Sequence, residues 1–472
     1  MLDKNRRVHF IGIGGTGMAP IALILLQQGY RVSGSDRQLS PLALVVREAG
    51  ATVYLGHQPA NVAGAGLVVR SSAIPADNVE VQAAQAAGIP VLKRADFLPE
   101  LIGDRKVIAI AGTHGKTTTT GTVAWALVSL GLDPSFLVGS NIINLGTNAH
   151  AGRGDYFVIE ADEYDHMFFG LEPSLAVVTN VEHDHPDFYP TPEAFYLAFQ
   201  EFTHRLVPGG VLLACGDDPG AARLLRESRP ASQRAFSYGI ADEKAGMSSD
   251  YQAINLKPNP KGGYDFDALH RGLLLSRVSL QIPGQHNVRN TLAALAVLHQ
   301  LGLDVPAGAQ ALQKFRGVGR RFEVRGEVSG ITLIDDYAHH PTEIRATLAA
   351  ARSRYPNRRI WVVWQPHTYS RALTFFEDFT HAFNDADHVL VTEVFAAREA
   401  NPKGFSARRV SDAIRHSDVQ FVPTVFEAAR SLAARLNPGS VLIVLSAGDA
   451  NQVIPELLPI LSERMNQANR AS

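Results

Sequence analysis

Short apolar runs alternate with longer mixed stretches along almost the whole chain, the pattern of strands buried between helices in a parallel sheet. RVHFI, YRVSGSD, LVVRSSAIP and IPVLKRADFL fall in the first part, and KVIAIAG, YFVIE and LAVVTN follow. ITLIDDY, IWVVWQP, HVLVTEV, VQFVP and SVLIVLSAG fill the last part. The stretch Met18 to Gln28, closed by Gly29, reads as the first helix. After Lys244 the period changes: DYQAINLKP, YDFDALH and LLLSRVSLQIP alternate around a Pro-Lys-Gly-Gly turn, which predicts antiparallel strands. The expected fold class is α/β in three domains, residues 1–105, 106–324 and 325–472, the second with a small antiparallel β portion.

Composition narrows the function classes. A chain of 472 residues with 46% apolar and 19% charged residues has room for about three globular domains. Its formal net charge of −2 and the lack of a long basic block exclude the footprint of a nucleic-acid binder and favour a small-molecule substrate. Cys215 is the single cysteine, so the chain makes no internal disulfide and no multi-cysteine zinc site. The uncharged run from Val8 to Tyr30 is broken by Gly12, Gly14, Gly15, Gly17 and Pro20, so it predicts strand, turn and helix, with no membrane insertion. A cytoplasmic protein is expected.

The candidate chemistry centres on KVIAIAGTHGKTTTTGTVAW, Lys106 to Trp125. A strand leads into a glycine turn and a Thr-rich helix start, where backbone N–H groups and the positive helix end converge on an anion. Lys116 adds a charge, and Thr117 offers a hydroxyl to Mg2+. Ile110 stands where the usual phosphate-loop pattern has its first glycine, so strand, loop and helix together carry the reading. An ordinary strand-to-helix turn is the plain alternative.

Two further strands run into polar exits. Tyr156 to Glu160 leads into Glu160, Asp162, Glu163 and Asp165; Leu175 to Asn180 leads into Glu182, His183, Asp184, His185 and Asp187. Ligands of parallel α/β sheets bind at strand carboxyl ends. Three such ends offering a lysine, carboxylates and imidazoles suit Mg2+ on nucleotide phosphates, although each cluster alone is as readily a solvated surface.

Elsewhere, Gly12, Gly14 and Gly17 with Asp36 match a dinucleotide fingerprint, which serves a nicotinamide cofactor or the diphosphate and uridine of a nucleotide-linked substrate equally well. Asn287 and Asn290 share one face of a helix opened by Gly284. Arg316, Arg320 and Arg321 approach a domain boundary near Val324. Asp335 to His340 and Gln365 to Arg371 leave strands of the last domain, where a second substrate is expected.

In order, G-x-G-G-x-G, GTHGKTTTT, EADE, NVEHDH, GQHNVRN, GRRFE, DDYAHHPTE and QPHTYSR resemble the Mur ligases of peptidoglycan synthesis over nearly the whole chain. The resemblance implies an N-terminal Rossmann-like domain for a UDP-sugar, a central P-loop ATPase-type domain and a C-terminal Rossmann-like domain for an amino acid. It implies phosphorylation of a lactyl carboxylate by ATP and attack of an amine on the acyl phosphate. The alanine-adding branch is closest, with UDP-N-acetylmuramate and L-alanine as substrates, ATP and Mg2+ as cofactors, and a monomer or homodimer as the working form.

Carried over by motif, Lys116, Glu160 and His185 are catalytic, and Thr117, Glu160 and His185 hold metal, with Glu163 and His183 as weaker candidates. Gly112, Thr113, His114, Gly115, Lys116, Thr117, Thr118, Asn287, Arg321 and Asp336 bind ATP. Gly12, Gly14, Thr16, Gly17, Asp36 and Ser72 bind the UDP-sugar. Tyr337, His367 and Arg371 surround the amino acid, with Arg371 pairing to its carboxylate. No lysine lies between Lys116 and Lys244, unlike the branches that use a carbamylated lysine. Tyr164 in EADEYD resembles instead the recycling branch that attaches a tripeptide, and Thr368 stands where some members have Arg. A nicotinamide-dependent oxidoreductase and a non-catalytic nucleotide-gated protein are the competing classes.

Overall fold

The structure is a computed structural model that describes residues 3–227, 234–241, 249–402 and 404–471. Among these the strands form three sheets. The first contains β1 (Arg7–Ile11), β2 (Val32–Asp36), β3 (Thr52–Leu55), β4 (Ala65–Arg70) and β5 (Val91–Lys93). All its pairings are parallel, in the order β3-β2-β1-β4-β5 of a Rossmann half.

The second sheet is built from β6 (Lys106–Ala111), β7 (Ser135–Ile142), β8 (Thr147–His150), β9 (Tyr156–Glu160), β10 (Leu175–Val178), β11 (Val211–Cys215), β12 (Arg234–Ile240), β13 (Tyr251–Pro258), β14 (Tyr264–His270) and β15 (Leu273–Ser279). Its order is β15-β14-β13-β12-β11-β10-β6-β9-β7-β8. The expected antiparallel portion is β13 to β15, but β13 also pairs in parallel with β12 and so joins that portion to the main sheet. The hairpin β7–β8 closes the other edge. β6 pairs in parallel with both β9 and β10, so the three strand ends singled out from sequence are immediate neighbours.

The third sheet is formed by β16 (Glu323–Val328), β17 (Ile331–Asp336), β18 (Arg359–Trp364), β19 (His388–Val391), β20 (Val419–Phe421) and β21 (Ser440–Leu445). Its order is β16-β17-β21-β18-β19-β20, parallel except for β16. The α/β class, with parallel sheets and small antiparallel portions, is therefore as expected.

Burial explains how the sheets are joined. Val8, Phe10 and Phe97 of the first sheet's layer and Val107, Phe168 and Phe202 of the second belong to one continuous apolar core. The third sheet keeps separate cores on its two faces, around Trp364 and around Leu333. Apolar burial thus unites the first two sheets, while the third meets the second largely through polar side chains. No helix among the described residues is long and apolar enough to cross a membrane.

Phe202, on the helix Pro192–His204, is fully buried and stacks on Phe168 at a ring separation of 5.0 Å. Phe202→Ala should therefore lower the unfolding free energy of the body containing the second sheet by about 3–5 kcal/mol. Urea unfolding followed by circular dichroism should show an earlier transition for that body, with the transition of the third sheet's body unmoved.

Candidate active site

The loop between β6 and the helix Lys116–Ser129 sits at the centre of the second sheet's carboxyl edge. Gly115 caps that helix at φ 81°, in the left-handed region that glycine adopts freely, and a Cβ there would lie 2.9 Å from Asn290 Oδ1. The nearby Asn290 lets the loop touch the helix Gln285–Gln300, whose Asn287 Nδ2 donates to the Pro283 carbonyl at 2.7 Å. Asn290 Nδ2 in turn donates to Asn287 Oδ1 at 3.1 Å, so both residues have roles beyond capping.

Lys116 Nζ donates to the Gly112 carbonyl and to Glu163, whose Oε2 lies 2.8 Å away. Burial opposes its charge, but Glu163, Asp162 and Glu160 outweigh burial and hold the ammonium above its ordinary range. Thr117 Oγ1 donates to Glu160 Oε1 at 2.9 Å, and the Gly139 amide donates to Glu160 Oε2 at 2.7 Å. His185 Nε2 lies 3.4 Å from Glu163 Oε1, so Glu163 links lysine to imidazole. His185 has φ 53°, a strained setting for a non-glycine residue. His183 is engaged elsewhere: its Nε2 lies 2.8 Å from the Tyr189 carbonyl.

A cavity beside this cluster is lined by His114, Gly115, Thr118, Asn287, Arg321 and Asp336. It brings together six residues taken from the nucleotide motifs, from segments far apart in the chain; Gly112 and Thr113 lie in the same loop, and Lys116 and Thr117 open the helix that follows it. Asp336 accepts the amides of Phe322 and Ala338, both at 2.7 Å, and burial lifts its carboxyl to about 6 against Arg321.

Glu343 of the cavity wall was not singled out from sequence, and the structure joins it to His114. His114 Nε2 lies 3.0 Å from Glu182 Oε2 and its Nδ1 3.3 Å from Glu343 Oε1. Burial works against the imidazolium, but the two carboxylates raise His114 to about 9. Glu182 also accepts the Thr342 hydroxyl at 2.7 Å. The ligand atoms of His114, Glu182 and His340 lie within 4.8 Å of one another. Both His114 nitrogens already face carboxylates, however, and His340 Nδ1 accepts the Thr342 amide at 3.3 Å, which leaves the proton on Nε2. The group is therefore a hydrogen-bonded latch between the second and third sheets.

The proposed amino-acid residues gather on the third sheet's side. Arg371 Nη1 lies 3.0 Å from His367 Nδ1, and His339 joins them, its ring 5.7 Å from His367 and 5.5 Å from Tyr337. Burial and Arg371 depress both imidazoles, His339 to about 3 and His367 to about 2, His339 adding to the effect on His367. Arg371 itself is not left open as expected. Its Nε and Nη2 lie 2.9 and 2.7 Å from Asp184 Oδ1, and both side chains are nearly fully buried. A buried guanidinium needs a counter-charge, and the loop after β10 supplies one.

The residues matched to a UDP-sugar line the carboxyl edge of the first sheet. Gly12, Gly14, Thr16 and Gly17 form the loop after β1, and the Gly14 amide donates to Asp36 Oδ2 at 2.9 Å. Thr16 and Ser72 are exposed. Asp36 thus shapes the loop directly.

Comparison with known proteins agrees with this layout. Residues 7–106 match the model "Mur ligase family, catalytic domain", residues 110–298 the "Mur ligase middle domain" and residues 320–448 the "Mur ligase, glutamate ligase domain". A UDP-N-acetylmuramate–L-alanine ligase of Roseiflexus sp. strain RS-1 is 46% identical over 456 residues, covering 94% of this chain and 97% of its own. The solved UDP-N-acetylmuramate-alanine ligase of Thermotoga maritima superposes with a TM-score of 0.81 at 26% identity, covering 98% of this chain and 100% of its own. A murein peptide ligase of Psychrobacter arcticus 273-4 gives a TM-score of 0.72 at 27% identity, covering 97% and 99%.

The raised pKa of His114 makes the latch pH-dependent. Its contribution is present in full below the ordinary imidazole value of 6.5 and is lost as pH rises through about 9. Thermal unfolding followed from pH 6 to about 10 should show the margin of the wild type over His114→Gln shrinking across that window. A constant margin would contradict the latch.

Proposed function

The chain belongs to the Mur ligase family, and on that footing we propose that it joins L-alanine to the lactyl carboxylate of UDP-N-acetylmuramate. ATP phosphorylates the carboxylate, and the amine displaces phosphate to form the amide. The observation that carries this reading is the meeting of Lys116, Glu160, Glu163 and His185 at three neighbouring strand ends, with the nucleotide-motif cavity on one side and the Arg371 pocket on the other.

Lys116, held protonated by its carboxylate neighbours, would stabilise the charge that moves as the phosphoryl group leaves ADP. Asn287, Arg321 and Asp336 would position the nucleotide, so that ATP binding and contact with the third sheet occur together. Thr117, Glu160 and His185 would hold Mg2+, with Glu163 close by. The fit rests on oxygen donors that already share one locus, the Thr117 hydroxyl lying 2.9 Å from Glu160 Oε1. When bound, Mg2+ supplies charge neutralisation between phosphates and the acceptor carboxylate.

On the amino-acid side, neutral His339 and His367 leave Arg371 as the cation for the L-alanine carboxylate, which would share the guanidinium with Asp184. Use of ATP supports a cytoplasmic location. Tyr164 is the one residue on which the sequence alternative, attachment of the L-Ala-D-Glu-diaminopimelate tripeptide, rests. Its ring lies 5.0 Å from His185 and its hydroxyl 3.2 Å from Asp187.

Phosphate release from ATP and Mg2+ with UDP-N-acetylmuramate separates the readings when L-alanine, glycine, L-serine and the tripeptide are compared. Release with L-alanine is expected. Release with the tripeptide alone would favour the recycling reaction, and none with any acceptor would refute a ligase. Lys116→Ala should lower turnover by roughly two to three orders of magnitude with an unchanged circular dichroism spectrum. His185→Ala should raise the Mg2+ concentration for half-maximal rate, and an identical Mg2+ titration would remove His185 from the metal site.

A further inference from the structure

Arg94 opens the helix Arg94–Ile102 at the exit of β5, beside the loop after β1. Gly17 shows how close the two are: a side chain at that position would collide with the Arg94 guanidinium, so the glycine lets the cation lie against the loop backbone. Nη2 donates to Asp162 Oδ2 at 3.1 Å across to the second sheet, in a pair whose side chains are 19% and 35% exposed. Nη1 and Nε have no hydrogen-bond partner among the described residues. Arg94 therefore stands between the glycine loop and the acidic loop that carries Glu160 and Glu163, with part of its fork unfilled.

We propose that Arg94 binds the diphosphate of the nucleotide-sugar, with Nη1, the nitrogen lying against the glycine loop, taking a phosphate oxygen while Nη2 stays on Asp162. The inference rests on the ligase reading above and adds a residue that none of the sequence motifs contains. The chemistry favours it because a glycine loop at a helix N-terminus provides amide donors and a partial charge, whereas a diphosphate carries full negative charge. A planar guanidinium holds Asp162 through one nitrogen and offers another, fixed in direction, to a phosphate oxygen, which the single nitrogen of an ammonium does not. The Asp162 contact also gives the bound substrate a direct mechanical link to the acidic loop, so that occupying the first sheet's site fixes the residues around the reacting carboxylate.

Isothermal titration of the full chain with UDP, with UDP-N-acetylmuramate and with ATP tests this. Arg94→Ala should weaken UDP and UDP-N-acetylmuramate alike by about tenfold or more and leave ATP unchanged, with Arg94→Lys recovering only part of the loss. A loss confined to UDP-N-acetylmuramate would mean that Arg94 reads the lactyl carboxylate and would overturn the diphosphate assignment. Equal loss for ATP, together with an earlier melting transition, would reduce Arg94 to a brace between the two sheets. Unchanged affinities would refute the inference while leaving the ligase reading intact. If the wild type bound neither uridine nucleotide, the ligase reading itself would fall, and the inference with it.

Discussion

The arrangement of this protein depends on one buried ion pair, Arg371 with Asp184, between the third and second sheets. Both side chains are almost wholly removed from water, so neither charge is tolerable without the other; removing one partner of such a pair typically costs about 3–5 kcal/mol. The first two sheets share an apolar core, which is non-directional and holds them whatever the ligand state. The third sheet has its own cores and reaches its neighbour through directional contacts: Arg371 to Asp184, Thr342 to Glu182, His114 to Glu343 and Arg398 to Asp187. Such contacts are directional, so they fix how the third sheet is oriented against the second.

The same polar seam carries the proposed reaction site. The loop after β10 supplies Glu182 to the His114 latch, Asp184 to Arg371 and His185 to the cluster around Glu163. One short segment thus touches the nucleotide cavity, the amino-acid pocket and the proposed metal locus. Its residue His185, and Thr368 at φ 62° at the start of the short helix carrying Arg371, both take left-handed backbone where side chains are aimed into the seam. Thr368 accepts the Arg371 amide at 3.4 Å, a cap that fixes the approach of that helix.

Electrostatics divides the site into two kinds of region. Around Lys116 and His114, carboxylates overcome burial and keep the cations charged. Around His339 and His367, burial and the neighbouring cation remove the proton. The region of Lys116 and His114 therefore holds charged cations paired with carboxylates, whereas the imidazoles beside Arg371 are neutral and leave it the cation paired with Asp184.

The sequence by itself determined the α/β class, the glycine loop between β6 and its helix, and the acidic and histidine exits of two more strands, because each is a local pattern of strand, turn and helix. The loop from Gly112 to Thr118 and the loop from Gly12 to Gly17 were legible for that reason. Tertiary structure alone decided which of these groups meet. Arg371 lies 187 residues from Asp184, Thr342 lies 160 from Glu182, and Arg94 lies 68 from Asp162. No local pattern encodes such a pairing, since a charge reads alike in sequence whether it is solvated or buried against a partner. The same holds for His183 and Glu163: the sequence treats them as equals, whereas folding turns one toward the Tyr189 carbonyl and buries the other between Lys116 and His185. Sheet order decides this, because β6 pairs on both sides with the strands whose exits are acidic, and pairing order is a property of the whole sheet.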